Sequence, residues 1–277
     1  MGQSENTKIL FSAAVITFNE ENNIRDCISS FYEIADEVII LDSFSTDSTL
    51  EIAREFPKVK IFQKEFRGHI EQKNNAIELC SGKWILSLDA DERVSETLKK
   101  EIQDILRDDP EEISGWKIPR LTFHMGRFIR HGGWYPLKRY RLFRKGSAVW
   151  TGENPHDFIE IKGAGKSLSG DIIHYSFKDL SHQVDTINKF SSIVGFTRFG
   201  KKIKFPIIKS VYKPFVKFLE CYIFKLGFLD GYPGFVIAVS SAYSSFLKFA
   251  KLYEMQKGTV ERPSNLRKDY SRPKSAE

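Results

Sequence analysis

"WILSLDADERV", residues 84–94, runs a mostly apolar stretch into two aspartates that bracket an alanine. Short apolar runs rich in strand formers read as buried strands, so Asp89 and Asp91 stand where a strand ends. Two carboxylates two apart point to the same side and can recruit a hard cation such as Mg²⁺ or Mn²⁺. A strand that breaks at Asp89 would let one carboxylate reach a ligand hydroxyl while the other faces the metal. Asp91 and Glu92 would equally serve as the N-terminal cap of a helix beginning near Val94.

Upstream, strand and helix patterns alternate. "ILFSAAVITF" (9–18), "EVIILDS" (37–43) and "KVKIFQKEF" (58–66) read as strands. Between them, Ile24, Cys27, Ile28, Phe31 and Ile34 recur at helical spacing, and "STDSTLEIAREF" (45–56) offers helix-capping residues. "EQKNNAIELCSG" (71–82) reads as a helix stopped by Gly82, and a further helix carries Val94, Leu98, Ile102, Ile105 and Leu106 on one face. Such alternation predicts an α/β fold with a mostly parallel sheet flanked by helices. Ligands of these sheets bind outside the carboxyl ends of the strands. Thr17–Asn19, Asp42 and Asp89–Asp91 are therefore expected to line one crevice.

From residue 111 to about 180 the pattern is irregular and β-leaning, and beyond it the chain turns helical, basic and aromatic. The expected organisation is an α/β domain over 1–180, with a strand–helix half (9–110) and a β-leaning half (111–180). A helical basic extension (181–257) and a flexible tail (258–277) would follow. The chain has 277 residues and a formal net charge of +6, with 42 Lys and Arg against 36 Asp and Glu. Between Arg198 and Lys225 there are eight Lys or Arg and one acid, Glu220. This reads as a surface for phosphates in nucleic acid or anionic lipid. Three widely spaced cysteines argue against a disulfide framework or a zinc site and fit a reducing compartment. The N-terminus lacks the pattern of a secretory signal, and a cytoplasmic location is expected.

Thr17-Phe18-Asn19-Glu20, then "LDSFSTDST" (41–49), Gln72-Lys73-Asn74-Asn75-Ala76 and Leu88-Asp89-Ala90-Asp91-Glu92 together resemble family 2 glycosyltransferases with the GT-A fold. "RHGGWYP" (130–136), "RLFRK" (141–145), "NPHDF" (154–158), "IIHYSF" (172–177) and "DGYPGF" (230–235) resemble the bacterial branch that builds lipopolysaccharide core. The similarity spans about residues 9–255. It implies that Thr17, Phe18, Asn19, Glu20 and Asp42 line the uridine site of a UDP-sugar and that Lys73 faces the diphosphate. Asp89 would contact ribose or the metal shell, and Asp91 would bind the metal. The usual paired acids of the second strand are reduced here to Asp42 followed by Ser43, and the usual His-Glu becomes His156-Asp157.

Sugar transfer from a nucleoside diphosphate needs a cation for the leaving diphosphate. An inverting displacement needs a carboxylate to take the acceptor proton. Asp157 is the expected base and Glu153 its rival in the same loop. His174, at a strand end, is a candidate diphosphate or metal contact. Arg141 could hold the acceptor loop or pair with a phosphate, and Trp134 offers a face for a sugar ring. The expected reaction moves a hexose, such as glucose, onto a lipopolysaccharide inner-core or related lipid-linked glycan; another surface polysaccharide or a protein acceptor is the alternative.

Lys209, Lys213 and Lys217 fall four apart beside Val211, Phe215, Phe218, Leu219 and Tyr222. That suits a helix lying in a membrane interface, broken into pieces by Pro206 and Pro214. A helix packed on the catalytic domain, or a homo-oligomer contact, would use the same pattern. The run from Leu226 to Leu247 is interrupted by Asp230, Gly231, Pro233 and Gly234, which favours peripheral attachment over a span. The Asp-x-Asp of aspartate-based phosphatases is a weaker reading, because their pair follows a first strand. A nucleic-acid-binding module is weaker still, since no such motif appears.

Overall fold

The computed structural model describes residues 10–153, 156–199, 205–258 and 260. They group into two units. One contains residues 10–120, 138–152 and 157–174; the other is built from 121–137, 153, 156 and the described chain from 175 onward.

The first unit opens with β1 (Phe11–Thr17), α1 (Ile24–Phe31), β2 (Glu37–Asp42), α2 (Thr49–Arg54), β3 (Val59–Gln63), α3 (His69–Leu79) and β4 (Trp84–Asp89). These elements fall within the segments expected from the sequence, except that α3 begins two residues earlier, at His69. Next come β5 (Glu92–Val94), α4 (Glu96–Asp108), β6 (Ile113–His124), β7 (Arg127–Ile129), β8 (Leu137–Arg144), β9 (Ala148–Glu153), β10 (His156–Ile161), β11 (Ala164–Ser167) and β12 (Ile172–His174). The main sheet has the order β3-β2-β1-β4-β8-β6-β12-β5, and β9 pairs with β10 in a second, two-stranded sheet. β1 runs parallel to β2 and β4, and β2 parallel to β3. The sheet turns antiparallel at β4–β8.

The central strands read as continuous apolar runs because helices cover both faces. α1 buries Ile24, Cys27, Ile28 and Phe31 in one cluster with Val15, Val38 and Leu86. Ile39, Ile77, Ile85 and Phe143 form a separate cluster. The parallel registers set Gln63, Asp42 and Thr17 side by side, with Asp89 opposite Ile16. Polar strand ends thus line up along one edge of the sheet.

Two local expectations are corrected. Val94 does not begin a helix; it closes β5, which pairs antiparallel with β12. α4 starts at Glu96, and its cap is Ser95, whose hydroxyl accepts from Leu98 N, so neither Asp91 nor Glu92 is the cap. Gly82 is not a helix stop either. α3 ends at Leu79 with Cys80 extended, and Gly82 lies so close to β1 that a Cβ would come 2.7 Å from Ser12 N.

In the second unit, β6 and β7 form a hairpin whose turn residues, Met125 and Gly126, both have positive φ. Three helices follow: α5 (Leu180–Phe199), α6 (Pro206–Leu219) and α7 (Gly231–Gln256). Pro214 does not break α6 as expected. Pro206 occupies its first turn, where a missing N–H costs nothing, and the helix continues through Pro214 to Leu219. A π-turn (Glu220–Phe224) and a 3₁₀ turn (Gly227–Asp230) then lead into α7. Gly234 sits against the Gly227 carbonyl too closely for any Cβ, so the "DGYPGF" segment is a compact corner. Asp230, almost fully buried, accepts from Arg130 N, His131 N and His131 Nδ1. That clamp fixes the "RHGGWYP" loop to the corner before α7. The expected tail lies mostly outside the described residues.

Candidate active site

The loops after β1 and β2 are zipped together. Ser43 N donates to Thr17 O, Asn19 N to Ser45 Oγ, Thr46 N to Asn19 Oδ1 and Glu20 N to Thr49 Oγ1. Asn19 adopts a left-handed φ of 56°, which asparagine tolerates, and its side chain ties the second loop instead of capping α1. Asp42 is fully buried and accepts from Ser45 N (2.9 Å), Ser45 Oγ and Gln63 Nε2 (3.0 Å). The Thr17 hydroxyl is buried without a hydrogen-bond partner, while the rings of Phe18 and Phe44 stand about half exposed on the two loops.

Beyond β4 the charges converge. Lys73, buried on α3, places Nζ 2.9 Å from Asp157 Oδ2 and 3.2 and 3.3 Å from the two oxygens of Asp89. Only Oδ2 of Asp89 receives a hydrogen bond, which leaves Oδ1 buried without one. Arg141 reaches from β8 to Glu92 at 2.9 Å and to Asp89 at 3.6 Å, and donates to Ser87 O. The Trp150 ring lies between these cations, 4.3 Å from Lys73 Nζ and 5.2 Å from the Arg141 guanidinium. Its indole N–H donates to Ser87 Oγ, and its backbone exchanges hydrogen bonds with the Asn74 side chain. Burial opposes ionisation of Asp89, but Lys73, Arg141 and the nearby His69 outweigh it and hold the carboxyl well below the usual range.

Asp91 differs from its neighbour. Its partner is His174, whose Nε2 is 3.2 Å from Oδ2. The pairing of β12 with β5 puts His174 opposite Glu92 and so beside Asp91. Among the described residues no Lys or Arg is ion-paired with Asp91, and His174 Nδ1 is buried without a hydrogen bond. No three His, Cys, Asp or Glu side chains converge into a complete metal cage among the described residues. The Asp91–His174 pair, with the Asp89 carboxylate two residues away, fits a cation that takes its remaining ligands from phosphate and water, the usual habit of Mg²⁺.

Lys73, Asp89 and Asp157 therefore form one charged cluster, with the Asp91–His174 pair two residues along the chain from Asp89, and Thr17, Asn19 and Asp42 lie at the neighbouring strand ends. The side chain of Glu153 lies outside the described residues. Arg141 engages the buried carboxylates of its own unit. Trp134, in the second unit, packs with His124 and Phe177 at ring distances of 5.8 and 6.2 Å. Sequence reasoning missed Glu92, Trp150 and His69. Only Glu92 had a signal, as a third acid directly after the aspartate pair.

The family model "Glycosyl transferase family 2" matches residues 12–161. The chain belongs to glycosyl transferase family 2. Within the family it is similar to the lipopolysaccharide core biosynthesis glycosyltransferase LpsC of Rhizobium meliloti, with 29% identity over 89% of this chain and 93% of that protein. An uncharacterized glycosyltransferase of Rickettsia felis is 31% identical over 88% of this chain and 89% of its own length. Among solved structures, the mannosyltransferase PcManGT from Pyrobaculum calidifontis, in complex with GDP-Man and Mn²⁺, aligns over 93% of this chain and 78% of its own, at 13% identity and a TM-score of 0.47. As a family 2 glycosyl transferase the chain has the GT-A type of fold, a mixed sheet flanked by helices with a helical C-terminal part.

Proposed function

We propose that this enzyme moves a hexose, such as glucose, from a UDP-sugar to a lipopolysaccharide inner-core or related lipid-linked glycan, in one inverting displacement assisted by Mg²⁺ or Mn²⁺. The observation that carries the reading is the single ammonium of Lys73 shared between Asp89 at the strand end and Asp157 across from it. In the displacement the acceptor oxygen bonds to the anomeric carbon while the carbon–oxygen bond to UDP breaks. Asp157 receives the acceptor's proton, which is the task of a general base. An arriving diphosphate competes for Lys73, and that competition frees Asp157 to accept. Asp91 with His174 would hold the cation and Asp89 would contact its shell; the ion, when bound, would neutralise charge developing on the leaving diphosphate.

The buried Thr17 hydroxyl and Asp42 supply polar contacts for the uridine, Asn19 and Glu20 hold the loop that carries them, and Phe18 offers an apolar face. The acceptor class rests on the similarity to LpsC. A cytoplasmic enzyme attached peripherally to the inner face of the inner membrane would meet such an acceptor. Calorimetric titration with UDP, with and without Mn²⁺, tests the donor site. Metal-dependent binding is expected in the parent and its loss in Asp91→Asn, with circular dichroism unchanged. A panel of nucleotide sugars tests the donor itself: preferential hydrolysis of a GDP- or CMP-sugar would contradict the UDP reading.

A further inference from the structure

Among the described residues, the surface least like that of a soluble protein is α6. It buries none of its residues. Ile207, Ile208, Val211, Tyr212, Phe215 and Val216 all face outward, Val211 74% and Phe215 65% exposed. At 100° per residue these six fall within one half of the helix, and from Ile207 to Val216 that apolar half is the exposed one. The apolar surface extends past the helix end, where Phe224 is 78% exposed and Leu226 and Leu229 are also exposed. Phe218 and Tyr222, by contrast, turn inward and pack with Phe235 of α7. An outward apolar half-helix on this scale marks a surface made for a partner.

We infer that this partner is an anionic lipid bilayer, with the apolar half of α6 inserted into its interfacial layer and the basic charge of the same segment drawing it to lipid phosphates. This deepens the membrane part of the preceding reading and requires nothing of the donor or metal chemistry. Charge selects the occupant. The one acid between Arg198 and Lys225, Glu220, is already ion-paired with Lys217 and Lys225, so the segment as a whole is basic. Two copies of this chain meeting through α6 would set lysine against lysine, whereas lipid phosphates neutralise the row.

The segment Gly227–Gln256 is long enough to cross a membrane and contains an 18-residue stretch apolar enough to do so. Its C-terminal half is otherwise engaged. Lys251 Nζ donates to Asn188 O, Asn188 Oδ1 and the hydroxyls of Ser191 and Ser192, all on α5. Spanning would carry that polar helix into hydrocarbon. The attachment is therefore to one leaflet.

Sedimentation of the full chain with vesicles of phosphatidylcholine and phosphatidylglycerol tests the inference. The parent should bind, and Val211→Asp combined with Phe215→Asp should weaken partitioning at least ~10-fold with UDP affinity unchanged. A second measurement needs no loss of binding: the indole introduced by Phe215→Trp should be quenched by lipids brominated on the acyl chain. If the parent binds while the double variant binds equally and the new indole is not quenched, α6 does not insert, although the membrane reading survives. If the parent ignores vesicles and sediments as a dimer that the double variant dissolves, a second copy covers the face. A monomeric parent that ignores vesicles would overturn both.

Discussion

α1 and α6 are both amphipathic, and they face opposite ways. Ile24, Cys27, Ile28 and Phe31 of α1 are fully buried, while α6 turns Ile208, Val211 and Phe215 outward. Periodicity fixes which side chains share a face; it does not say what covers that face. The same contrast holds for charges. Lys73 is buried between two carboxylates, whereas Lys213 stands exposed beside the ring of Tyr212.

The contrast can be broken by paired substitutions read by urea denaturation. The largest difference is expected between the two lysines. Lys73→Met leaves Asp89 and Asp157 without their shared cation and should cost about 3–5 kcal/mol, as breaking a buried ion pair does. Lys213→Met should stay within about 0.5 kcal/mol, as exposed substitutions do. Next come the isoleucines. Ile28→Ala should cost about 2–5 kcal/mol through the cavity it opens, against about 0.5 kcal/mol or less for Ile208→Ala in the absence of lipid. Equal costs within either pair would dissolve the contrast.

The smallest difference is expected between two glutamates. Burial works against ionisation of Glu37, but Lys60, the Ser12 hydroxyl and the Ser81 amide outweigh it and lower its carboxyl. Glu220, more exposed, is lowered by Lys225 and Lys217. A depressed carboxyl contributes stability that is complete above its unfolded value and is lost as pH falls through its folded value. Acid titration should therefore cost the parent more stability than it costs Glu37→Gln. At neutral pH that variant should lose about 1–3 kcal/mol, an unsatisfied buried donor being the cause. Glu220→Gln should lose about 0–1 kcal/mol.

The sheet and its first helices were legible because both faces are covered: "ILFSAAVITF" and "EVIILDS" are apolar enough to be nothing but buried strands. The details that escaped depend on contacts distant in sequence. Val94 has helical spacing to Leu98 and Ile102, yet β12, nearly eighty residues later, recruits it into a strand. Gly82 looks like a helix stop and is needed for close approach to Ser12. In the site, Asp89 and Asp91 stood out locally. The bridge from Lys73 to Asp157 joins residues 84 apart, and no spacing rule reports such a contact. The direction in which α6 points was illegible for the same reason, since only its packing against α7 decides which side remains outside.

If Asp157 is the base served by the Lys73 bridge, the turnover of Asp157→Asn with the preferred nucleotide sugar and a lipopolysaccharide-core acceptor will report it. The amide keeps the size and polarity of the side chain but cannot take a proton. Turnover should fall by roughly 10²–10⁴-fold, the usual contribution of general base catalysis, with donor affinity little changed and Glu153→Gln close to the parent. Near-parent turnover in Asp157→Asn together with an inactive Glu153→Gln would contradict the account and move the base to Glu153.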